Sequence, residues 1–203
     1  MGKVKIAKKD TFIDMTAMSD VTVLLLTFFM LTSTFVKKEP VKVVTPSSVS
    51  EIKVPEKDVL SILVDKTGKV FMGLDTQQAM DGVLATMSDN FGQNYTAAQR
   101  TAFVKSQTFG APMELLGKFL SLEEKDRDAE LAGLGIPMDS IGEGHSEFQE
   151  WVLACRDYSR TMKIAIKADN TTPYSVISRV MTQLQDIREN RYYLLTSLKK
   201  VED

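Results

Sequence analysis

Residues 15–36 read MTAMSDVTVLLLTFFMLTSTFV, a 22-residue stretch whose only charged side chain is Asp20. As a helix rising about 1.5 Å per residue it would extend roughly 33 Å, close to the hydrocarbon thickness of a bilayer. The stretch therefore reads as one transmembrane helix. An acid inside such a helix is costly, roughly 2.5 to 3.5 kcal/mol for Asp at the centre and less near an end, so Asp20 is a candidate functional group. The competing reading places Asp20 at the membrane interface, capping the helix N-terminus.

Helical geometry sorts the neighbours of Asp20. Residues seven apart return to nearly the same angle, and Thr27 and Thr34 follow Asp20 at that interval while Thr16 lies one turn before it. Thr16, Asp20, Thr27 and Thr34 thus form one polar seam on a helix otherwise built of Val, Leu, Phe and Met. Such a seam should face protein or water. Threonines also bond their own helix carbonyls and pack between membrane helices, so the hydroxyls gain weight only from alignment with the carboxylate.

Lys3, Lys5, Lys8 and Lys9 could serve as the basic region of a secretory signal. The apolar core is longer than a signal's usual 7 to 15 residues, contains an acid, and runs into Lys37, Lys38 and Glu39 without a small-x-small cleavage site. The segment reads as an uncleaved anchor. Lysines on both sides leave little charge bias, but 14 residues precede the span and 167 follow it, and a large domain is translocated largely regardless of charge. The expected organisation is a cytoplasmic N-terminus (1–14), the span (15–36), and an extracytoplasmic remainder.

Residues 37–57 change character, with Pro40, Pro46, Ser47, Ser48 and Pro55 among charged and β-branched residues. This reads as an extended linker. Two strand-prone pieces, carrying Val41, Val43 and Val44 and then Ile52 and Val54, are candidates for adding to a partner's sheet edge; the alternative is a plain tether.

Residues 58–203 suffice for one modest domain. Val59–Val64 and Val70–Leu74 read as strands joined at Asp65-Lys66-Thr67-Gly68, a hairpin. Met162–Lys167 alternates apolar and charged residues as a half-buried strand. Pro173 opens a helix carrying Val176, Ile177, Val180, Met181, Leu184 and Ile187, and 192–198 reads as a last strand. Between them, 76–159 shows helical spacing in Ala79, Val83, Leu84 and Met87, in Ala98, Phe103 and Val104, and in Met113, Leu116, Phe119 and Leu120. Ser121, with Glu124 three residues on, has the spacing of a capping box. After a glycine-rich loop, 147–158 resumes as a helix through Phe148, Trp151, Val152 and Cys155. The expected fold class is α+β: one N-terminal transmembrane helix, then a small α/β-sandwich-like domain with a helical insertion over 76–159.

No catalytic constellation emerges. His145 is the sole histidine and Cys155 the sole cysteine, so neither a histidine–cysteine metal site nor an intrachain disulfide can form. His145 reads as a surface residue and Cys155 as a small buried hydrophobe; an exposed Cys155 would instead cross-link a dimer. A net charge of −2 and the absence of phosphate-loop or nucleophile motifs exclude the usual signatures of nucleic-acid binding and of an enzyme. No cofactor or metal is expected.

Ile13-Asp14-Met15-Thr16-Ala17-Met18-Ser19-Asp20-Val21, with Leu24-Leu25-Leu26-Thr27-Phe28-Phe29-Met30-Leu31-Thr32, resembles the ExbD/TolR family of energy-transducing membrane proteins. Further on, Ile166-Lys167-Ala168-Asp169, Thr172-Pro173-Tyr174 and Val180-Met181 resemble the family's periplasmic domain in the correct order. Ala17 stands where the family usually has proline, and Ser19 where it usually has an apolar residue. The resemblance covers about 10–75 and 160–203.

It implies that Asp20 takes up and releases protons crossing the inner membrane. It also implies an ExbB/TolQ-like multispan ring subunit around a dimer of these helices, and a TonB-like periplasm-spanning protein that receives the movement for active transport across the outer membrane. A TolR-like role in envelope maintenance, engaging peptidoglycan, is the nearest alternative. A passive, membrane-tethered periplasmic binding module is the alternative of a different class. One carboxylate flanked by hydroxyls also admits sodium, a hard cation suited to oxygen ligands.

Overall fold

The computed structural model describes residues 15–33, 41, 43–48, 58–106, 108–140 and 144–198. The chain divides into two compact units, Met1–Lys38 and Glu39–Asp203.

The first unit carries α1 (Met15–Thr32), an 18-residue helix. At about 1.5 Å per residue it is roughly 27 Å long. It is long and apolar enough to cross a membrane, and none of its side chains is buried. Ser33 continues the hydrogen-bond ladder, donating to the Phe29 carbonyl at 2.9 Å; residues 34–36 of the expected span lie outside the described residues.

The second unit is built on a five-stranded sheet in the order β4-β3-β2-β5-β6. β2 (Val59–Val64) and β3 (Val70–Leu74) are the expected hairpin, in antiparallel register from Leu60 opposite Leu74 to Val64 opposite Val70. Its turn is closed by Gly68, whose N–H donates to the Asp65 carbonyl at 2.8 Å. Gly68 has φ +82°, a left-handed conformation in which a Cβ is strained. β5 (Lys163–Ala168) runs parallel to β2, and β6 (Tyr192–Leu194) runs parallel to β5. Parallel neighbours cannot be joined by a tight turn. β3 makes the first return, ending with Leu74 opposite Leu60 at the end of the sheet where Lys163 opens β5 opposite Val59, and the long helical insertion joins those two strand ends; α7 (Tyr174–Asp186) supplies the second return.

The insertion comprises α2 (Gln77–Phe91), α3 (Ala97–Ser106), β4 (Thr108–Phe109), α4 (Met113–Leu120), α5 (Glu124–Leu131) and α6 (Glu147–Tyr158). The helical spacing read from the sequence marks buried faces: Ala79, Val83, Leu84 and Met87 on α2, and Met113, Leu116, Phe119 and Leu120 on α4. Phe103 stacks on Trp151 at a centroid separation of 6.0 Å, and Phe109 packs tilted against both, 5.1 Å from Phe103 and 4.5 Å from Trp151. These aromatics belong to the same core cluster as Phe71 and Met72 of the sheet. The insertion therefore enlarges the sheet's own core, and through β4 it adds a strand beside β3.

Three expectations differ from the structure. Ser121 does not cap α5: it closes α4, its N–H donating to the Lys118 and Phe119 carbonyls, and Glu123 occupies the N-cap of α5. The capping box lies instead at Ser146, whose hydroxyl accepts the Gln149 N–H while the Gln149 side chain accepts the Ser146 N–H. The last strand is split. β6 ends at Leu194, and β7 (Ser197–Leu198) pairs in parallel with β1 (Ser47–Ser48) from the stretch read as linker.

Candidate functional site

On α1, Asp20 is the sixth residue of the helix. An N-cap residue lies outside the first turn, so Asp20 is not the N-cap of α1. Thr27 lies within about 20° of Asp20 around the axis and roughly 10.5 Å along it, and Thr16 lies within about 40°, one turn back. The three share a face, as the sequence spacing predicts; Thr34 lies outside the described residues. The Thr27 hydroxyl donates to the Leu24 carbonyl at 2.9 Å. Ser19, Thr22 and Thr32 bond carbonyls of their own helix in the same way. These bonds satisfy hydroxyls that lipid could not solvate. Asp20 has no such partner among the described residues. It is an isolated carboxylate on an apolar helix.

A second feature lies where the chain enters the sheet domain. Val41 and Val43 are buried at 5% and 9% exposure and join the domain core. Val44, at 69% exposure, points outward. Its N–H donates to Asp169 Oδ2 at 3.0 Å, and its carbonyl accepts the Asn170 N–H at 2.8 Å. Asp169 Oδ1 meanwhile accepts the Thr171 N–H and hydroxyl. These Thr171 bonds, aided by the Val44 N–H, hold the Asp169 carboxyl below the usual range. Of the partner-strand candidates, Val41 and Val43 are thus packed into this domain, Val44 is exposed with its backbone hydrogen-bonded to Asp169 and Asn170, and Ile52 and Val54 lie outside the described residues.

Asp169 was not marked as functional by the sequence reading. The available signal was an acid two residues before a threonine at a strand end, the pattern of a local Asx turn. Glu147 was also missed. It is buried, accepting the Met113 N–H at 2.9 Å and facing the Trp151 indole N–H at 3.4 Å, and burial raises its pKa.

His145 is exposed, with Nδ1 3.2 Å from a Glu150 carboxylate oxygen. Cys155 is buried, and its surroundings push the thiol up to about 12. The exposed, cross-linking Cys155 is therefore excluded, because the thiol is neither accessible nor ionised at neutral pH. Among the described residues no cluster of His, Cys, Asp and Glu could hold a metal ion.

A family model described as "Biopolymer transport protein ExbD/TolR" matches residues 7–199. Comparison with curated proteins and with solved structures yields no match.

Proposed function

The chain belongs to the ExbD/TolR family, and from that premise we propose that it is the inner-membrane subunit of a proton-driven motor that energises transport across the outer membrane. Family membership gives a non-enzymatic, energy-transducing role in biopolymer transport, exercised in a membrane complex with ExbB/TolQ-like proteins. The finer reading assigns the proton to Asp20. The observation that carries it is the placement of a lone carboxylate in the second turn of an apolar helix, without a partner among the described residues.

A carboxylate in that position needs a second polypeptide to shield it. The ring subunit supplies that shield, with two copies of α1 inside it. Binding a proton removes the charge and changes which surface the helix face prefers; release restores it. A proton moving down the potential releases roughly 2.3 kcal/mol per 100 mV, and successive cycles turn one component against the other. The orientation that serves this has the N-terminus in the cytoplasm and the sheet domain in the periplasm. There a TonB-like protein takes up the movement.

The test replaces Asp20 by Asn and measures growth on a nutrient that requires energised outer-membrane uptake, with co-purification of the ring subunit as the control for assembly. Uptake should be lost and assembly kept. A TolR-like role would instead appear as detergent sensitivity and envelope leakage with uptake intact. Normal growth of the variant in both assays would leave a passive tether.

A further inference from the structure

Two connections lead into neighbouring parallel strands, the α6–β5 link and the α7–β6 link, and because β5 and β6 pair in register these links lie side by side. Between them is a surface cleft of about 530 Å³ lined by Arg156, Arg160, Arg188 and Arg191, with Asp157 and Glu189 as its acids.

The arginines fall into two kinds. Arg156 is committed to structure: it forks onto Glu189, Nε to Oε1 at 2.7 Å and Nη2 to Oε2 at 2.5 Å, and it also donates to the Arg160 and Met162 carbonyls. This fork ties the last turn of α6 to the α7–β6 link and fixes one wall of the cleft. Arg160, Arg188 and Arg191 are exposed, and their guanidinium groups have no hydrogen bond or ion pair among the described residues. With Glu189 neutralised by Arg156, only Asp157 opposes them, so the open part of the cleft carries a net charge of about +2.

The backbone places one of these arginines at some strain. The Glu189 N–H donates to the Leu184 carbonyl and the Arg188 N–H to the Gln185 carbonyl, both at 2.8 Å. That pattern makes Arg188 the residue just past the end of α7, with φ +63°, where glycine is usual. Arginine there points a guanidinium from a position that the helix end alone would fill better with glycine. Cations near helix C-termini are ordinarily explained by the helix dipole. That account suits Arg156 within α6, but it does not require three further unpaired guanidinium groups to converge on one concavity.

We propose that this cleft binds a phosphate-type dianion, with a phosphate monoester or free inorganic phosphate as ligand. A tetrahedral dianion presents three equivalent oxygens to donors arriving from different directions and matches the open charge of the cleft. A single carboxylate is planar, carries one charge, and is satisfied by one guanidinium fork.

The test titrates sodium phosphate, glycerol 3-phosphate and sodium acetate into the full-length chain in detergent by calorimetry, at matched ionic strength. Saturable phosphate binding is expected, absent with acetate, and weakened roughly tenfold or more in R188A/R191A, since two charge-assisted contacts are lost. R100A, whose arginine pairs with Asp81 on α2, should bind as the parent does. Binding of inorganic phosphate alone would assign free phosphate, and binding of both phosphates would assign monoesters; either supports the proposal. Equal response to acetate, no saturation with either phosphate, or phosphate binding unchanged in a folded R188A/R191A would overturn it. The far-UV circular dichroism and thermal midpoint of the variant separate lost binding from lost fold.

Discussion

The Asp169 carboxylate accepts the backbone N–H of Val44 at 3.0 Å, across 125 positions of sequence. The acid at the end of β5 thereby holds the segment that links the membrane anchor to the sheet domain, while Val41 and Val43 beside it fill the core. Release of this segment would expose two apolar side chains and two backbone groups together.

Asp169→Ala should therefore lower the thermal midpoint and make the bonds around 41–48 cleavable by protease in the otherwise folded protein. The pH dependence follows from the direction of the shift. The folded carboxyl titrates below its unfolded value, so its stabilisation is present above the unfolded value and lost as pH falls through the lowered folded one. Limited proteolysis of parent and variant, at neutral pH and under acid conditions, checks both points. Equal cleavage at neutral pH would show that the Val44 contact holds nothing.

Glu147 has the opposite sign. Burial raises its folded pKa, so the folded state binds a proton more readily than the unfolded chain. Its contribution to stability thus falls as pH rises from the unfolded value through the raised one. Glu147→Gln keeps an acceptor for the Met113 N–H and should flatten this slope. Glu147→Ala strands that N–H at the start of α4 and should destabilise by about 1–3 kcal/mol. Urea denaturation of the parent and both variants, from weakly acidic to neutral pH, measures the slopes.

Gly110 permits close packing of the insertion against Phe71 of the sheet. A Cβ built there would lie 2.1 Å from Phe71 Cδ1 and 2.9 Å from Cε1. Phe71 is fully buried, so the ring cannot swing away freely. Gly110→Ala should cost about 1–3 kcal/mol or more as overpacking, read as a lower urea midpoint with an unchanged slope. A midpoint equal to the parent's would mean that β4 and the sheet can separate at little cost.

Cys155 should be silent in the native protein. A buried thiol with its pKa pushed up to about 12 offers almost no thiolate. A maleimide should label it only after denaturation, and non-reducing gels should show no disulfide-linked dimer. Rapid native labelling would mean that α6 opens readily.

Much of this architecture was legible from residue order alone. The apolar run of α1, the β2–β3 hairpin with Gly68 at its turn, the alternation of β5 and the spacing of α7 are local patterns, and local patterns survive into the fold. What escaped depends on distant partners. The proline- and serine-containing composition of 41–48 resembles a linker, and nothing within it indicates that Val41 and Val43 find a core or that Asp169 waits for Val44. Ser121 and Ser146 both have a suitable residue three positions on, but only Ser146 begins a helix; Ser121 is drawn into the end of α4. In the last strand the Leu195 N–H still reaches the Ile166 carbonyl at 2.8 Å, but Ser197 and Leu198 pair with β1 instead. On the membrane helix the polar face was readable because its geometry is helical and local. The arginine cleft was not, since its members come from the end of α6 and the link after it and from the α7–β6 link, separated by all of β5 and α7.

The central claim is that Asp20 carries the proton, and the most direct measurement is proton entry into vesicles containing the chain together with its ring subunit, under an imposed potential. Parent complexes should acidify the lumen. Complexes with Asp20→Asn, assembled to the same extent, should leak no faster than empty vesicles. Proton entry at the parent's rate in the Asn variant would contradict the account and leave Asp20 a bystander on its helix.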